Sequence, residues 1–315
     1  MTNASEIKTM ALAAGFDLVG IAPAHASEYA QAYQEWLALG RHGQMHYMAE
    51  NVPTRLDPKI RFPWLRSVIC LALHYQPTPM PPCPPTQGKI ARYAWGRDYH
   101  KVLTNKLRRL HRDLTAREAT LEARAYVDTG PIMEREFSAR AGLGWIGKNT
   151  LLISPRHGSY FVLGVLLTNL TLEFDRPEPD HCGTCTRCLT ACPTQALTPY
   201  KLDASRCLSY LTNEHKGDIA EELKSPMAQA GYIVGCDICQ EVCPHNRHAP
   251  QTTTQDFLPR QPGPILELAQ ILDWDVQKWD QATQGRAFRR VKLTQWQRNA
   301  TILKNETQPG LSKLE

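Results

Sequence analysis

The sequence predicts an α+β protein in which a sheet-containing domain precedes an iron–sulfur domain and a helical tail. Three observations support this fold class. Helical and extended segments alternate over the first 175 residues, two dense runs of cysteine follow, and the last part combines apolar helical segments with basic residues. We expect the three domains to span residues 1–175, 176–250 and 251–315.

The elements of the first domain follow from the spacing of its apolar residues. Residues 67–74 (SVICLALH) form an uninterrupted apolar run, which predicts a strand buried on both faces. Residues 76–88 contain six prolines and predict an irregular loop. The other predicted elements are helices at 5–14, 28–39 and 99–119, and strands at 17–21, 123–128, 151–154 and 160–168.

Two cysteine runs predict a pair of [4Fe–4S] clusters. The run at 182–193 reads C-x2-C-x2-C-x3-C-P, a spacing with which bacterial ferredoxins hold such clusters, and the run at 236–244 reads C-x2-C-x3-C-P. In two-cluster ferredoxins the last cysteine of a run binds the other cluster. We therefore predict two ligand sets, Cys182, Cys185, Cys188 and Cys243 for one cluster and Cys192, Cys207, Cys236 and Cys239 for the other.

Some alternatives remain open for the cysteines. Paired C-x2-C units also bind zinc, although zinc sites rarely use four cysteines in one dense run followed by proline. Cys207 lies outside both runs, so a cluster with one open iron is the alternative to its assignment. We expect Cys70, in the apolar run, to be a core residue and Cys83, in the proline-rich loop, to be a free surface thiol.

Composition restricts the setting of the protein. Its 10 cysteines are clustered, which favours metal binding over disulfides in a chain of 315 residues. The N-terminal segment lacks the apolar core of a signal peptide, and the longest apolar stretch, at 161–167, is too short to span a bilayer. We expect a cytoplasmic monomer without a membrane partner.

Two basic segments suggest contact with a nucleic-acid backbone. One lies at 106–112 in a predicted helix. The other lies in the tail, where aromatic residues alternate with basic ones, and we predict RNA contacts by Arg286, Arg289, Arg290, Lys292 and Arg298. The alternative is a solvated helix face with a few residues anchored in the core.

Asp128 is the candidate for proton chemistry. It follows a predicted strand in the sequence Asp-Thr-Gly-Pro, and a carboxylate at the end of a sheet strand is well placed to donate a proton in a pocket. The alternative is that it only caps the turn. The glycine-rich segment 142–149 is able to lie against a large flat ligand, but it lacks the spacing of a dinucleotide-binding loop.

Taken together, these segments resemble the epoxyqueuosine reductase family. The resemblance is carried by VDTGPIMERE at 127–136, ARAGLGWIGKNTLLISPRHGSYFVLG at 139–164, CGTCTRCLTACPTQAL at 182–197, RCLSYLTNEHKG at 206–217 and GCDICQEVCPHN at 235–246. The family is similar to corrinoid reductive dehalogenases. The resemblance implies a nitroreductase-like cobalamin-binding domain in front of a ferredoxin-like domain with two [4Fe–4S] clusters.

The resemblance implies reduction of epoxyqueuosine to queuosine at the wobble position of tRNA, the final step of queuosine biosynthesis. Electrons would pass from an external donor, such as flavodoxin or ferredoxin, through the clusters to base-off cobalamin. Asp128 would be the proton donor, and we expect it to be buried enough to stay protonated near neutral pH. The implied cobalamin-binding residues are Arg55, Arg92, Asp128, Lys148, His157, Ser209, Gly235 and Asp237.

Two other functions agree with parts of the sequence. A corrinoid-dependent reductase of a small molecule would share the cofactors but lack the RNA partner, which the basic, aromatic tail argues against. A ferredoxin-like electron-transfer subunit would lack the corrin, which the long first domain argues against. Many family members continue into a HEAT-like repeat beyond the segment matching 297–300, about where this sequence ends, so we expect the tail to bind tRNA with less help.

Overall fold

The computed structural model of the protein describes residues 2–76 and 79–307. Its strands are β1 Leu18–Pro23, β2 Ser67–His74, β3 Gln87–Ile90, β4 Ala123–Tyr126, β5 Trp145–Ile146, β6 Leu152–Ile153, β7 Phe161–Thr168, β8 Leu197–Thr198, β9 Lys201–Leu202, β10 Tyr232–Val234 and β11 Ile265–Glu267. Its α-helices are α1 Ala4–Ala13, α2 Ala30–Ala38, α3 Val52–Leu56, α4 Tyr99–Thr115, α5 Glu134–Arg140, α6 Arg187–Ala191, α7 Leu208–Asn213, α8 Glu221–Ala230, α9 Ile238–Glu241, α10 Leu268–Leu272, α11 Val276–Thr283 and α12 Leu293–Thr307. The predicted mixture of helix and sheet is confirmed.

The main sheet is antiparallel and has the strand order β1-β2-β7-β4. All eight residues of β2 are buried, as the apolar run predicts. Ile69, Leu71 and Leu73 face a core formed with α1 and α4, whereas Cys70 faces the core formed with α5. Gly20 lets α5 approach the sheet, because a Cβ there would lie 2.1 Å from the Ala141 carbonyl oxygen.

Helix α4 positions the residues of the candidate site. Its buried leucines recur every three or four residues along one face, so the helix lies flat on the sheet. The Asp98 carboxylate accepts a hydrogen bond from the His100 backbone N–H and caps the helix. Tyr99 and His100 therefore stand at the helix N-terminus, beside the turn that follows β4.

A second core crosses the predicted domain boundaries. It combines residues 90–95 with parts of 204–234 and 266–303, and it surrounds a small sheet of order β10-β3-β11. The three-domain division itself stays a prediction. The sequence reasoning missed β3, β10 and β11, because each has only three or four residues and pairs with segments distant along the chain. The loop was predicted at 76–88 and the tail at 251–315, and within them residues 77–78 and 308–315 lie outside the described residues.

A buried ion pair joins this second core to the second cysteine run. The Arg92 backbone N–H donates to Asp237 Oδ2 at 2.7 Å, and Nη1 of the same arginine lies 3.2 Å from that oxygen and 2.7 Å from Glu241 Oε1. The Asp237 side chain is 1% exposed. Arg92 and Asp237 were predicted to contact a corrin, but the structure pairs them with each other inside the protein.

Two basic residues of the tail are also structural. Arg286 is buried, and its guanidinium donates to the backbone carbonyl oxygens of Ala94, Trp95, Arg260, Gln261 and Pro262. The guanidinium of Arg298 donates to the carbonyl oxygens of Leu211, His215 and Gly217. The RNA-contact prediction for Arg286 is therefore corrected, since its donors face the protein interior. Within the described residues, no helix combines the length and apolar character needed to cross a membrane.

We expect Arg286→Met to destabilise the fold. Because the Arg286 guanidinium faces the protein interior, we do not expect the substitution to remove a contact with an RNA phosphate. The substitution leaves several buried carbonyl groups without donors, at a cost of about 2–4 kcal/mol. Thermal unfolding of the variant should show a melting temperature several degrees lower than that of the wild type. Lys292→Met is the matched control, because Lys292 is an exposed basic residue of the same segment; equal melting temperatures for the two variants would contradict the structural role.

Candidate active site

Asp128 stands at the centre of a tight turn after β4. Its φ is +58°, in the left-handed region that residues other than glycine adopt at a cost of about 1–3 kcal/mol. The Thr129 N–H donates to the Val127 carbonyl oxygen at 2.6 Å, which closes the turn. The Asp128 N–H donates to Glu134 Oε1 at 2.7 Å. This conformation therefore depends on the groups around the turn.

The Asp128 carboxylate is held by the N-terminus of α4. Its Oδ2 accepts a hydrogen bond from the Tyr99 hydroxyl at 2.8 Å and lies 3.2 Å from His100 Nε2. The other ring nitrogen of His100 lies 2.7 Å from Asp98 Oδ1. The Asp128 side chain is nevertheless 51% exposed, so it can meet a ligand from outside.

The structure corrects the expected protonation state of Asp128. Burial would raise its pKa, but the hydrogen bonds from His100 and Tyr99 outweigh burial and hold the pKa of the carboxyl below its usual value of 3.8. Asp128 is therefore ionised at neutral pH. The expectation that burial keeps it protonated is wrong, because its two donors stabilise the charged form.

Two neighbours of Asp128 hold protons instead. Burial alone would lower the pKa of His100, but its hydrogen bonds to Asp128 and Asp98 raise the pKa to about 9. Burial and, secondarily, the charge of Asp128 raise the pKa of Glu134 to about 8. At neutral pH the site thus contains an imidazolium and a neutral carboxylic acid next to one carboxylate.

Distant segments complete the rim of the site. Arg290 Nη2 lies 2.5 Å from Glu214 Oε1, and its guanidinium also forms a hydrogen bond with the Tyr47 side chain. The charge of Arg290 helps to keep the pKa of Asp128 low, although less than the donors do. Arg55 reaches the same region, where its charge acts on Glu134, and its buried Nε has no hydrogen-bond partner among the described residues.

The first predicted ligand set surrounds one cavity. Lys148 reaches the same cavity, and its Nζ donates to the carbonyl oxygens of Gly183 and Cys185 at 2.6 and 3.0 Å. Lys148 thus braces the first cysteine run. Thiols arranged around a cavity fit the donor requirement of a [4Fe–4S] cluster. The cysteines that line this cavity are Cys182, Cys185, Cys188 and Cys243.

The second predicted set is also brought together. Burial raises the pKa of Cys236, and the nearby thiols of Cys207 and Cys192 add to the effect. Burial likewise raises the pKa of Cys239, with contributions from Cys236 and Cys207. Cys207 therefore lies with the three cysteines to which it was assigned, while the ligand sets themselves stay a prediction. The part of the chain that the structure describes holds no group of three or more His, Cys, Asp or Glu side chains that could bind a single metal ion.

The remaining predicted residues lie in several places. His157 packs beside His74, with ring centroids 6.3 Å apart. The Gly235 N–H donates to side chains of α7, the helix that also carries the half-buried Ser209. Arg289 pairs with Asp280. Lys292 is exposed, and its contact with RNA stays a prediction.

Sequence reasoning missed several residues of the site. Tyr99 and His100 were placed only within a helix, and Glu214 only within a family segment. A helix N-terminus that begins Asp-Tyr-His is a weak signal by itself. These residues gain their role because the chain brings α4 and the tail to the turn after β4, which local spacing does not reveal.

Comparisons with known proteins agree with this geometry. The family model "Epoxyqueuosine reductase QueG, DUF1730" matches residues 55–129, and "4Fe-4S double cluster binding domain" matches residues 181–246. The epoxyqueuosine reductase of Gloeobacter violaceus is 45% identical over 95% of this chain and 94% of its own length. The chain belongs to the epoxyqueuosine reductase family.

Solved structures of the family share the fold of this chain. The epoxyqueuosine reductase of Streptococcus thermophilus superposes with a TM-score of 0.88 at 33% identity, covering 98% of this chain and 82% of that one. An epoxyqueuosine reductase solved with an epoxyqueuosine-modified tRNA-Tyr stem loop also gives 0.88, at 30% identity over 96% of this chain and 80% of that one. The predicted resemblance is thus confirmed.

We expect Cys207→Ser to lose one of the two clusters. In the predicted assignment Cys207 supplies the fourth thiolate of its set, and each predicted cluster contains four iron atoms, so iron content should fall from about eight to about four per chain. Iron analysis after anaerobic reconstitution measures this. Cys83→Ser is the control, because Cys83 belongs to neither set. A Cys207→Ser protein that keeps about eight iron atoms would remove Cys207 from the ligands.

The His100 contacts predict a pH dependence of stability. Because folding raises the pKa of His100 from 6.5 to about 9, its stabilising contribution is complete below pH 6.5 and is lost as the pH rises through 9. The melting temperature of the wild type should fall more between pH 6.5 and 9.5 than that of His100→Asn. His248→Asn, at an exposed position, should behave like the wild type. Identical pH profiles for His100→Asn and the wild type would contradict the predicted ion pairs.

Proposed function

We propose that this chain reduces epoxyqueuosine to queuosine in tRNA. The observation that carries the proposal is the contact between Asp128 and His100 in a chain that also gathers cysteines around a cavity and belongs to the epoxyqueuosine reductase family. A family structure contains an epoxyqueuosine-modified stem loop, which supports tRNA as the substrate. The substrate class would be tRNAs with a queuosine-type anticodon.

The residues fit the cofactors that this function requires. Two sets of four cysteines would hold two [4Fe–4S] clusters, which supply electrons singly. The buried Nε of Arg55, which lacks a partner among the described residues, is free to meet a polar group of base-off cobalamin in a nitroreductase-like domain. Cobalamin would supply a cobalt centre that accepts those electrons and delivers them to the substrate.

The reaction requires two electrons and two protons, since the epoxide oxygen leaves as water and a carbon–carbon double bond forms. Asp128 is ionised, so it must receive a proton before it can donate one. His100 would supply that proton, because its Nε2 faces the same Oδ2 and it stays protonated below about pH 9, and solvent would supply the second proton of the water that leaves. Asp98 orients the imidazole through the other nitrogen, and the Tyr99 hydroxyl fixes the direction of the carboxylate.

The rim suits an RNA ligand better than a small apolar molecule. Arg290 lies half-exposed beside Asp128, and the exposed Lys292 follows it closely in the chain. Cations in this position would neutralise phosphate charge next to the target nucleotide. We further propose a cytoplasmic monomer that receives electrons from a flavodoxin- or ferredoxin-type donor, with a catalytic part at 1–175, a cluster-binding part at 176–250 and an RNA-binding tail.

The direct test is anaerobic reconstitution with iron, sulfide and cobalamin, followed by incubation with reductant and a tRNA anticodon stem-loop that carries epoxyqueuosine. Nucleoside mass spectrometry should show the loss of one oxygen atom and the appearance of queuosine. A fully loaded protein that binds the stem-loop and leaves epoxyqueuosine unchanged would contradict the proposed function.

We expect Asp128→Asn to lower turnover by about 10²–10⁴-fold, the usual contribution of a general acid. Asparagine tolerates the left-handed backbone of this position, so the turn should persist. Iron and cobalamin contents should therefore remain at the wild-type level. Glu122→Gln, at an exposed carboxylate near β4, serves as the control. Turnover of Asp128→Asn within tenfold of the wild type would leave Asp128 with only a turn-capping role.

A further inference from the structure

The direction of the Asp128 side chain depends on an unfavourable backbone conformation. At φ +58° the carboxylate points to Tyr99 and His100. An aspartate free to return to negative φ would gain about 1–3 kcal/mol and would point its side chain elsewhere. Something in the structure must offset this cost.

The backbone of Asp128 is held from α5. The Asp128 N–H donates to Glu134 Oε1 at 2.7 Å, and the structure gives this N–H no other partner among the described residues. Tyr99 and His100 contact the carboxylate, so they orient the side chain but leave the peptide group unrestrained. The hydrogen bond to Glu134 is therefore the contact through which helix α5 holds the main chain at Asp128, in addition to the hydrogen bond from the Thr129 N–H to the Val127 carbonyl oxygen within the turn.

Helix α5 provides a rigid support for this contact. Glu136 accepts hydrogen bonds from Ser27 Oγ at 2.6 Å and from Arg140 Nη2 at 2.5 Å. Phe137 is buried against the main sheet. Because the first turn of the helix is fixed by these neighbours, the Glu134 carboxyl is a stationary acceptor for a turn that has few bonds of its own.

We propose that Glu134 is a positioning residue, which holds Asp128 in the left-handed conformation through one side chain to main chain hydrogen bond. The groups that face Glu134 are Asp128, Arg135 on the same helix, Arg55 on α3 and Cys70 on β2. The role requires an acceptor oxygen at this position and no change of ionisation. Its consequence for turnover rests on the proposed function, but its consequence for the turn does not.

Two substitutions of Glu134 distinguish the need for a hydrogen-bond acceptor from the need for an ionisable group. Glu134→Gln keeps a carbonyl oxygen that can accept the Asp128 N–H, whereas Glu134→Ala removes the acceptor and leaves a good helix former. Glu122→Ala is the control, because Glu122 is an exposed glutamate just before β4. The wild type and these three variants would be studied as the full chain with clusters reconstituted.

Two readouts test the inference. Hydrogen–deuterium exchange of a peptide covering 127–133 should be about tenfold faster at the turn in Glu134→Ala, and unchanged in Glu134→Gln and Glu122→Ala. With the stem-loop substrate, Glu134→Ala should lose about 10–100-fold in kcat while KM changes by less than about threefold, because misplacement affects the reacting group and not RNA binding. Glu134→Gln should retain kcat.

The outcomes distinguish this inference from the proposed function. Unchanged exchange in Glu134→Ala would overturn the positioning role, and so would an equal loss of kcat in the glutamine and alanine variants. Faster exchange in Glu134→Ala alone would support the role even if the wild-type protein left epoxyqueuosine unchanged. Failure of the wild-type protein to convert epoxyqueuosine would contradict the proposed function and not the positioning role of Glu134.

Discussion

The structure around the second cysteine run depends on the buried ion pair between Arg92 and Asp237. Asp237 lies between Cys236 and Cys239, and Arg92 follows β3 closely. The buried Asp237 carboxylate would not be stable as a charge in the interior without Arg92, which also pairs with Glu241. The pair therefore fixes the second cysteine run against the segment that leads into α4.

The chemistry of the site depends on where its protons reside. Asp128 gives up its proton because two donors stabilise its charge, while His100 and Glu134 keep theirs. In the proposed reaction Asp128 would thus be a charged relay between a proton source and the substrate, and not a buried acid that holds its own proton. A half-exposed carboxylate can perform this role, because it can meet a ligand from outside while it keeps its contacts with Tyr99 and His100.

Local patterns predicted the parts of the structure that local spacing controls. The cysteine spacing predicted the two sets because seven of the eight ligands lie in two short runs. The last cysteine of each run was assigned to the set of the other run. The local sequence Asp-Thr-Gly-Pro likewise predicted the turn at Asp128, because a turn depends on neighbouring residues. The burial of Arg286 was not, because its carbonyl acceptors come from two distant loops, and a basic run in sequence does not show which guanidinium faces inward. The placement of His100 and Arg290 beside Asp128 likewise depends on contacts across the whole chain.

The central claim is that electrons held at the cysteine sets and protons held beside Asp128 are used together on one epoxide. Rapid-freeze EPR during a single turnover tests it most directly. Fully loaded protein would be reduced, freed of excess reductant, mixed anaerobically with the epoxyqueuosine stem-loop and frozen at intervals. We predict that the reduced-cluster signals disappear at the rate at which queuosine forms, with two electrons lost for each queuosine. Queuosine that forms while the clusters stay reduced, or clusters that are oxidised without queuosine, would contradict the account.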